Sequence, residues 1–304
     1  MSPKKPDADV PPGLLVVDKS PGMTSHDVVA RARRALSVRK VGHAGTLDPM
    51  ATGVLVLGVG AATRLLGHLS GTDKSYAATV RFGQTTVTDD REGDVRTTTS
   101  AAALTEDDVR AALASQTGPL QQVPSSVSAV KVDGVRSYDR VRAGEEFELA
   151  ARSVTVHALD VHDIRWPTPD LVDVDVDVTC STGTYIRAIA RDAGAQLGVG
   201  GHLTALRRTW SGPFGASAAR AVEDAAAALL AGGGPGFVPL ADAARAVFPG
   251  RAVTVDEAVD LGHGKRITAT GTPGLHAAVD PDGRLVALVE DAGSTARVSV
   301  GFPA

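Results

Sequence analysis

The stretch VGHAGTLDPMATG, residues 41–53, followed by the apolar run Val54–Val59, decides how this chain is read. It places His43 and Asp48 in a glycine-rich loop that feeds a continuous apolar segment. Such a segment reads as a strand covered on both faces. Asp48 precedes Pro49 and is therefore pushed out of the helical region. Glycines in a loop of this kind let the backbone approach a ligand closely. A carboxylate held at the edge of a rigid strand is a candidate nucleophile or base. An Asp-Pro pair is also an ordinary turn, so the residues alone leave both readings open.

Upstream, residues 14–18 (LLVVD) predict a short apolar strand, and Ser20-Pro21-Gly22 a turn. Thr24 and Asp27 have the spacing of a capping box. Val28, Val29, Ala32 and Leu36 then follow at helical spacing, which puts the arginines between them on the outer face. Downstream, residues 76–82 predict a strand. Residues 85–118 are polar apart from a helix near 105–115, with Thr105 as its N-cap and acids in its first turn. Residues 119–152 carry Lys131, Arg136, Arg140, Arg142 and Arg152 and look like an arm or insertion. Residues 171–179 (LVDVDVDVT) alternate strictly, which predicts a strand with one face buried. After the turn at 181–184, Ile186, Ile189, Ala190, Ala193 and Leu197 predict a helix that Gly198 ends. Tyr185 and Arg187 stand at this strand–turn–helix junction, where free N–H groups favour an anion. Arg187 could pair with Asp48 or with a phosphate; a surface arginine is the competing reading. The Ala-rich 216–231 predicts a helix, and AGGGPG (231–236) a linker. Beyond about residue 245 the pattern becomes β-rich, with strands at 284–290 and 297–302.

The 304 residues suffice for one large domain and a small one. Hydrophobic residues make up 43% and charged residues 22%, ordinary values for a globular protein. No apolar run reaches the ~18–20 residues of a membrane helix, and MSPKKPDADVPPG reads as a short disordered tail without a signal sequence. A single cysteine, Cys180, excludes an internal disulfide and a thiolate cluster and fits a cytoplasmic location. The net charge of −4 speaks against a nucleic-acid partner, but its distribution matters more. Residues 31–40 (RARRALSVRK) hold five basic residues and no acid, and Arg187, Arg191, Arg207 and Arg208 are opposed by Asp192 alone. The chain has no phosphate-binding GxxxxGK[ST] loop, dinucleotide fingerprint, HExxH or GxSxG elbow, and its eight histidines lack metal-ligand spacing. Chemistry requiring neither metal nor nucleotide cofactor is expected. Pattern alone thus yields an α/β protein with an Asp/Arg/Tyr site, and it does not reach a reaction.

Taken together, five segments resemble one family. They are GLLVVDKSPGMTSHDVV (13–29), KVGHAGTLDPMATGVLVLGVGAAT (40–63), DKSYAATVRFG (73–83), VPSSVSAVKVDGVRSYDRVRAG (123–144) and CSTGTYIRAIARDAGAQLGVGGHLTALRR (180–208). In that order they are similar to the bacterial tRNA pseudouridine-55 synthase family, TruB, over roughly residues 13–215. The resemblance implies an α+β fold: a mixed, largely antiparallel sheet with flanking helices, the pseudouridine synthase fold. It implies a tail at 1–12, a catalytic domain at 13–240 with an RNA-binding arm at about 119–152, and a small β-rich PUA-like domain at 245–304. The implied activity is cofactor-free isomerisation of the T-arm uridine, position 55 of tRNA, to pseudouridine.

Asp48 stands at the family's catalytic aspartate, and Arg187 where the family's arginine pairs with it. Tyr76 matches the tyrosine that packs on the target base, which completes the catalytic set. Tyr185 and Leu206 match positions lining the uracil pocket, and His43 the histidine that helps to open the T loop. Lys19 joins this substrate-binding set as an N-terminal-motif lysine whose role is mainly structural. The sequence departs from the family pattern at Lys19-Ser20-Pro21, at Thr86-Val87-Thr88 and at Val127. The partner implied is the tRNA T stem-loop, bound by a cytoplasmic monomer with no membrane and no protein partner. Two other readings are a tRNA-folding chaperone that acts without catalysis and a guide-RNA-dependent relative; the arm favours a stand-alone enzyme.

Overall fold

A computed structural model describes residues 9–125 and 150–302, with the backbone of 131–132 and 135–136 between them. The chain divides into two compact units. One holds the N-terminal residues to Asp48, Gly53–Ser70 and the chain from Ser211 onward; the other holds Pro49–Thr52 and Gly71–Trp210.

In the first unit, strand Gly13–Lys19 pairs antiparallel with Thr52–Val59 on one side and with Phe237–Pro239 on the other. Leu14, Leu15, Val16, Val17 and Val54–Leu57 are all at most 1% exposed, which explains their unbroken apolar sequence. Helix Ser25–Leu36 carries the expected capping box at Thr24 and Asp27, and it packs on helix Val222–Leu230. Val41–His43, expected as loop, is instead a short strand beside Leu57–Val59. Gly42 and Gly58 permit this: a Cβ at either would meet Leu66 or the Ala62 carbonyl at 3.0 Å.

AGGGPG, expected as a linker, is exposed over residues 231–235, and only its last residue, Gly236, is buried. Val16 N donates to Gly236 O at 2.9 Å, and a Cβ at Gly236, whose φ is +87°, would meet Ala225 at 3.0 Å. The Ala-rich helix is accordingly shorter, Val222–Leu230. The C-terminal sheet runs in the order Gly250–Ala252, Leu275–Val279, Leu285–Ala292, Thr295–Gly301, Ile267–Thr268. Its first pair is parallel and the others antiparallel. Val253, Leu261, Ile267, Ala287 and Val289 form one apolar cluster. Leu285, Leu288 and Phe302 join another, together with Leu14, Val16, Val54, Val56 and Leu65. The C-terminal strands therefore share a core with the N-terminal ones, at about 1.5–3 kcal/mol for each fully buried large side chain.

In the second unit the strand order is Gly201–Ser211, Lys74–Phe82, Leu171–Cys180, Arg152–Thr168, Gly118–Gln122. The last three pairings are antiparallel. Val172, Val174, Val176 and Val178 are buried as their alternation predicts. The intervening acids are met across the sheet. Arg81 Nε and Nη2 each donate to Asp173 at 2.7 Å, and Thr79 and Arg165 donate to Asp175. Thr105 caps helix Glu106–Ala114 with Asp108, as expected. The polar stretch before it also contains a hairpin, Gln84–Thr86 with Val95–Thr98. Both ends of the expected arm lie in the sheet, where Arg152 pairs with Gln122 and Val156 with Gly118. Val127 lies outside the described residues. These mixed, largely antiparallel sheets with flanking helices are the α+β architecture expected.

Candidate active site

Asp48 is the last residue of the first unit before the chain passes into the second. Its loop is clamped one residue earlier. Leu47 N donates to Ser25 Oγ at 2.9 Å, and Ser25 Oγ donates back to Leu47 O at 3.2 Å. Ser25, at the start of its helix, is 1% exposed and Leu47 is 3% exposed, so water does not compete for these bonds. Ala44 N donates to Val56 O at 2.9 Å, which ties the loop's other end to the strand. Gly45 turns between them at φ +95°, a conformation that favours glycine. The result is a half-buried carboxylate on an immobilised backbone.

His43 is half-buried, its ring edge-on to His26 with centroids 5.5 Å apart. Lys19 is 1% exposed, and its Nζ donates to Met23 O at 2.6 Å and Ser20 O at 3.1 Å. These bonds hold the turn that leads into helix Ser25–Leu36. On that helix and just after it, Arg31, Arg34, Arg39 and Lys40 are exposed, as the basic segment predicts. Arg33 instead donates to Val41 O at 2.7 Å.

Tyr76, Tyr185, Arg187 and Leu206 all belong to the second unit. Tyr76 sits on strand Lys74–Phe82 opposite Val178 and is 9% exposed; Leu206 is 7% exposed. Arg187 lies in the first turn of helix Ile186–Gln196 and is buried, unlike a surface arginine. Its Nη1 donates to Thr88 O at 2.7 Å and Ser125 Oγ at 3.4 Å, and it lies 3.5 Å from Asp90 Oδ2.

Asp90 was not singled out from the sequence. Its side chain and that of Arg187 are each 3% exposed. Asp90 Oδ1 accepts from Thr88 Oγ1 at 2.5 Å and Glu92 N at 3.0 Å. Asp89, beside it, has φ +58°, a left-handed conformation costly for a non-glycine residue. Burial pushes its carboxyl pKa up, against opposing bonds and charge from Ser125 and Arg191. The only local sign of this turn was the run of short polar residues ending at Gly93, which reads as exposed loop.

Two further groups were missed. Gln122 is 3% exposed and bonds both backbone groups of Tyr185. Lys74, 6% exposed, has its pKa lowered to about 8, mainly by burial and then by the charge of Arg208. It pairs in the sheet with Cys180, whose thiol burial pushes up to about 11. Among the described residues no group of three His, Cys, Asp or Glu is placed to hold a metal ion.

Three family descriptions match the chain. Residues 33–186 match the TruB family pseudouridylate synthase N-terminal domain, 187–232 the tRNA pseudouridylate synthase B C-terminal domain, and 248–303 the tRNA pseudouridine synthase II C-terminal domain. The tRNA pseudouridine synthase B of Arthrobacter sp. (strain FB24) is 56% identical over 300 residues, covering 95% of this chain and 96% of that one. The protein of the same name from Mycobacteroides abscessus is 55% identical, covering 96% and 97%. That from Streptomyces coelicolor is 52% identical, covering 92% and 94%. Among solved structures, a chain of a Cbf5–Nop10–Gar1 complex is similar at 26% identity and TM-score 0.70, covering 96% of this chain and 85% of that one. A chain of the archaeal box H/ACA sRNP Nop10–Cbf5 complex is similar at 26% identity and TM-score 0.69, covering 96% and 86%.

Proposed function

The chain belongs to the TruB family of pseudouridylate synthases, and from that membership we propose that it converts the T-arm uridine of tRNA, position 55, to pseudouridine, with Asp48 starting the chemistry. The curated relatives that match along almost the whole chain are named tRNA pseudouridine synthase B, which supports tRNA as the substrate. The observation that carries the role of Asp48 is the two-bond clamp of Ser25 on Leu47, which fixes the backbone next to a half-buried carboxylate.

The reaction breaks the N1–C1′ bond, turns the uracil and joins C5 to C1′. C5 gives up a proton and N1 gains one, so substrate and product are isomers and no electrons are exchanged. An ionised carboxylate can serve by attacking C1′, by attacking C6 or by starting elimination at the ribose. The target base must first leave its stack, at a cost of a few kcal/mol. Tyr76 offsets part of this by stacking on the base, and Tyr185 and Leu206 supply apolar walls. Arg187 supplies positive charge, which favours an ionised carboxylate over a protonated one in a water-poor site. His43 aids opening of the T loop. The exposed arginines of 31–40 and the arm at about 119–152 bind backbone phosphates, and residues 245–304 act as a PUA-like RNA-contacting domain. The protein works as a monomer in the cytoplasm.

The test is to incubate the pure protein with unmodified tRNA transcript and map pseudouridine at single-nucleotide resolution. Conversion at position 55 alone is expected. Conversion elsewhere would reject the assigned substrate, and improved tRNA folding without any pseudouridine would favour a chaperone.

A further inference from the structure

We propose that Gln122 is a positioning residue for pseudouridine formation: its buried amide fixes the backbone of Tyr185 and, through the first helical turn, Arg187. This rests on the functional reading above, in which Tyr185 and Arg187 serve the base and the carboxylate.

Helix Ile186–Gln196 begins without a local side-chain cap. Tyr185 is its N-cap and makes no side-chain capping bond, and no acid stands in its first turn. A helix start leaves N–H groups without intrahelical partners, and a cation there opposes the helix dipole. Arg187 is such a cation. The missing support comes from another strand. Tyr185 N donates to Gln122 Oε1 at 2.7 Å, and Gln122 Nε2 donates to Tyr185 O at 3.0 Å. One planar amide thus meets both polar groups of one residue, as a neighbouring strand would, and restrains it in rotation as well as translation. The orientation of the amide is set by the Tyr185 N–H, which needs the acceptor; Tyr185 O also accepts from Ala188 N at 3.1 Å and Ile189 N at 3.3 Å. Gln122 is 3% exposed, so water has no access to replace it.

Gln122 is itself held firmly. It ends strand Gly118–Gln122 and pairs with Arg152. The residues after it grip the same helix: Val123 O accepts from Arg191 Nη2 at 2.8 Å, and Ser125 Oγ accepts from Arg187 Nη1 at 3.4 Å. Arg187 is therefore fixed at its guanidinium end by Thr88 and Ser125, and at its backbone end by Gln122 through Tyr185. Loss of the amide leaves the tip anchored and the root held only by the helix's own bonds to Tyr185 O, with Tyr185 N unpaired. A misplacement of about 1 Å in a catalytic site costs on the order of a hundredfold in rate.

The experiment uses full-length protein and tRNA transcript, and measures single-turnover rate and tRNA affinity separately. Gln122→Met keeps the length of the side chain and removes both bonds. The expected result is a rate about 10- to 100-fold lower, with affinity within about threefold and the protein folded at the assay temperature. Gln122→Glu gives the second readout. Its carboxylate can accept from Tyr185 N but cannot donate to Tyr185 O, whereas its protonated form can do both. Burial raises a carboxyl pKa, so the ratio of variant to wild-type rate should climb as pH falls from 8 to 6. Arg187 and Arg191, bonded to the same segment, favour the ionised carboxyl and Asp89 opposes it; they shift the pH at which the ratio climbs, while their own titration is common to both proteins. A Gln122→Met protein at wild-type rate overturns the proposal, as does a loss shared equally by rate and affinity. If Gln122→Met does not fold, the Glu variant decides, and a flat ratio overturns the proposal. A wild type that forms no pseudouridine overturns the functional reading and this inference with it, whereas an active wild type with an indifferent Gln122 overturns the inference alone.

Discussion

Asp90→Ala removes the carboxylate beside Arg187 and should be among the most damaging single changes in the second unit. Both side chains are 3% exposed and stand 3.5 Å apart. Breaking a buried pair by removing one partner costs about 3–5 kcal/mol, because the other charge is left behind. Arg187 keeps its bonds to Thr88 O and Ser125, which places the expected loss near the lower end. The change also strips acceptors from Thr88 Oγ1 and Glu92 N, for about another 1 kcal/mol. Asp90→Asn keeps the shape and one acceptor and should cost less. Urea unfolding followed by far-UV circular dichroism measures the loss. The expected result is a loss of about 3–4 kcal/mol at unchanged m-value. An Asp90→Ala protein within about 0.5 kcal/mol of wild type, the range of ordinary surface changes, would refute the reasoning.

Ser25→Ala should cost about 1–3 kcal/mol by leaving both backbone groups of Leu47 without their partner; circular dichroism in urea measures this, and the rate of uridine conversion should fall with it. Lys74 has a folded-state pKa of about 8 against 10.5 unfolded, so the unfolded chain binds more protons between these values and stability should rise with pH from 8 upward. Cys180 works in the opposite sense: its thiol goes from 9.0 unfolded to about 11 folded, so its share is lost as pH rises from 9 to 11. Wild type should therefore gain stability between pH 8 and 9 relative to Lys74→Met, and parallel pH profiles for the two would remove the assignment. Replacing Arg34, Arg39 and Lys40 with Gln should weaken tRNA binding and reduce its log–log salt slope by about 0.7–0.9 for each phosphate no longer neutralised; an unchanged slope would move the RNA elsewhere.

What could be read from the sequence was what local chemistry determines. Thr24 with Asp27 and Thr105 with Asp108 form their capping boxes because the partners are three residues apart. The same signal stood at Thr254 and Glu257 and was overlooked, although it caps helix Val255–Gly262. Strand Arg152–Thr168 was not legible, because most of its residues are exposed or half-exposed and only Val154 and Val156 are buried. Strand Gly201–Ser211 was hidden by the adjacent charges Arg207 and Arg208, which break its apolar pattern although Arg208 is 1% exposed. Asp90, Gln122 and Lys74 share one difficulty: each is a polar residue in a polar stretch, and its burial comes from strands distant in sequence. Loop and junction patterns pointed to Asp48 and Arg187, and the family resemblance supplied their roles and that of Tyr76, but neither carried information on what holds Arg187 in place. The 245–304 boundary shows the reverse problem. Composition changes there, yet Leu285, Leu288 and Phe302 pack with Leu14 and Val16, because shared burial leaves no mark in a linear pattern.

The most direct test of the central claim is pseudouridine mapping in tRNA transcript after incubation with wild-type protein and with Asp48→Asn. The account predicts conversion of position 55 by wild type and none by the variant. The variant should bind tRNA within about tenfold of wild type, ~1.4 kcal/mol, because phosphate contacts do not depend on the carboxylate. Pseudouridine formed by a verified Asp48→Asn protein would contradict the account.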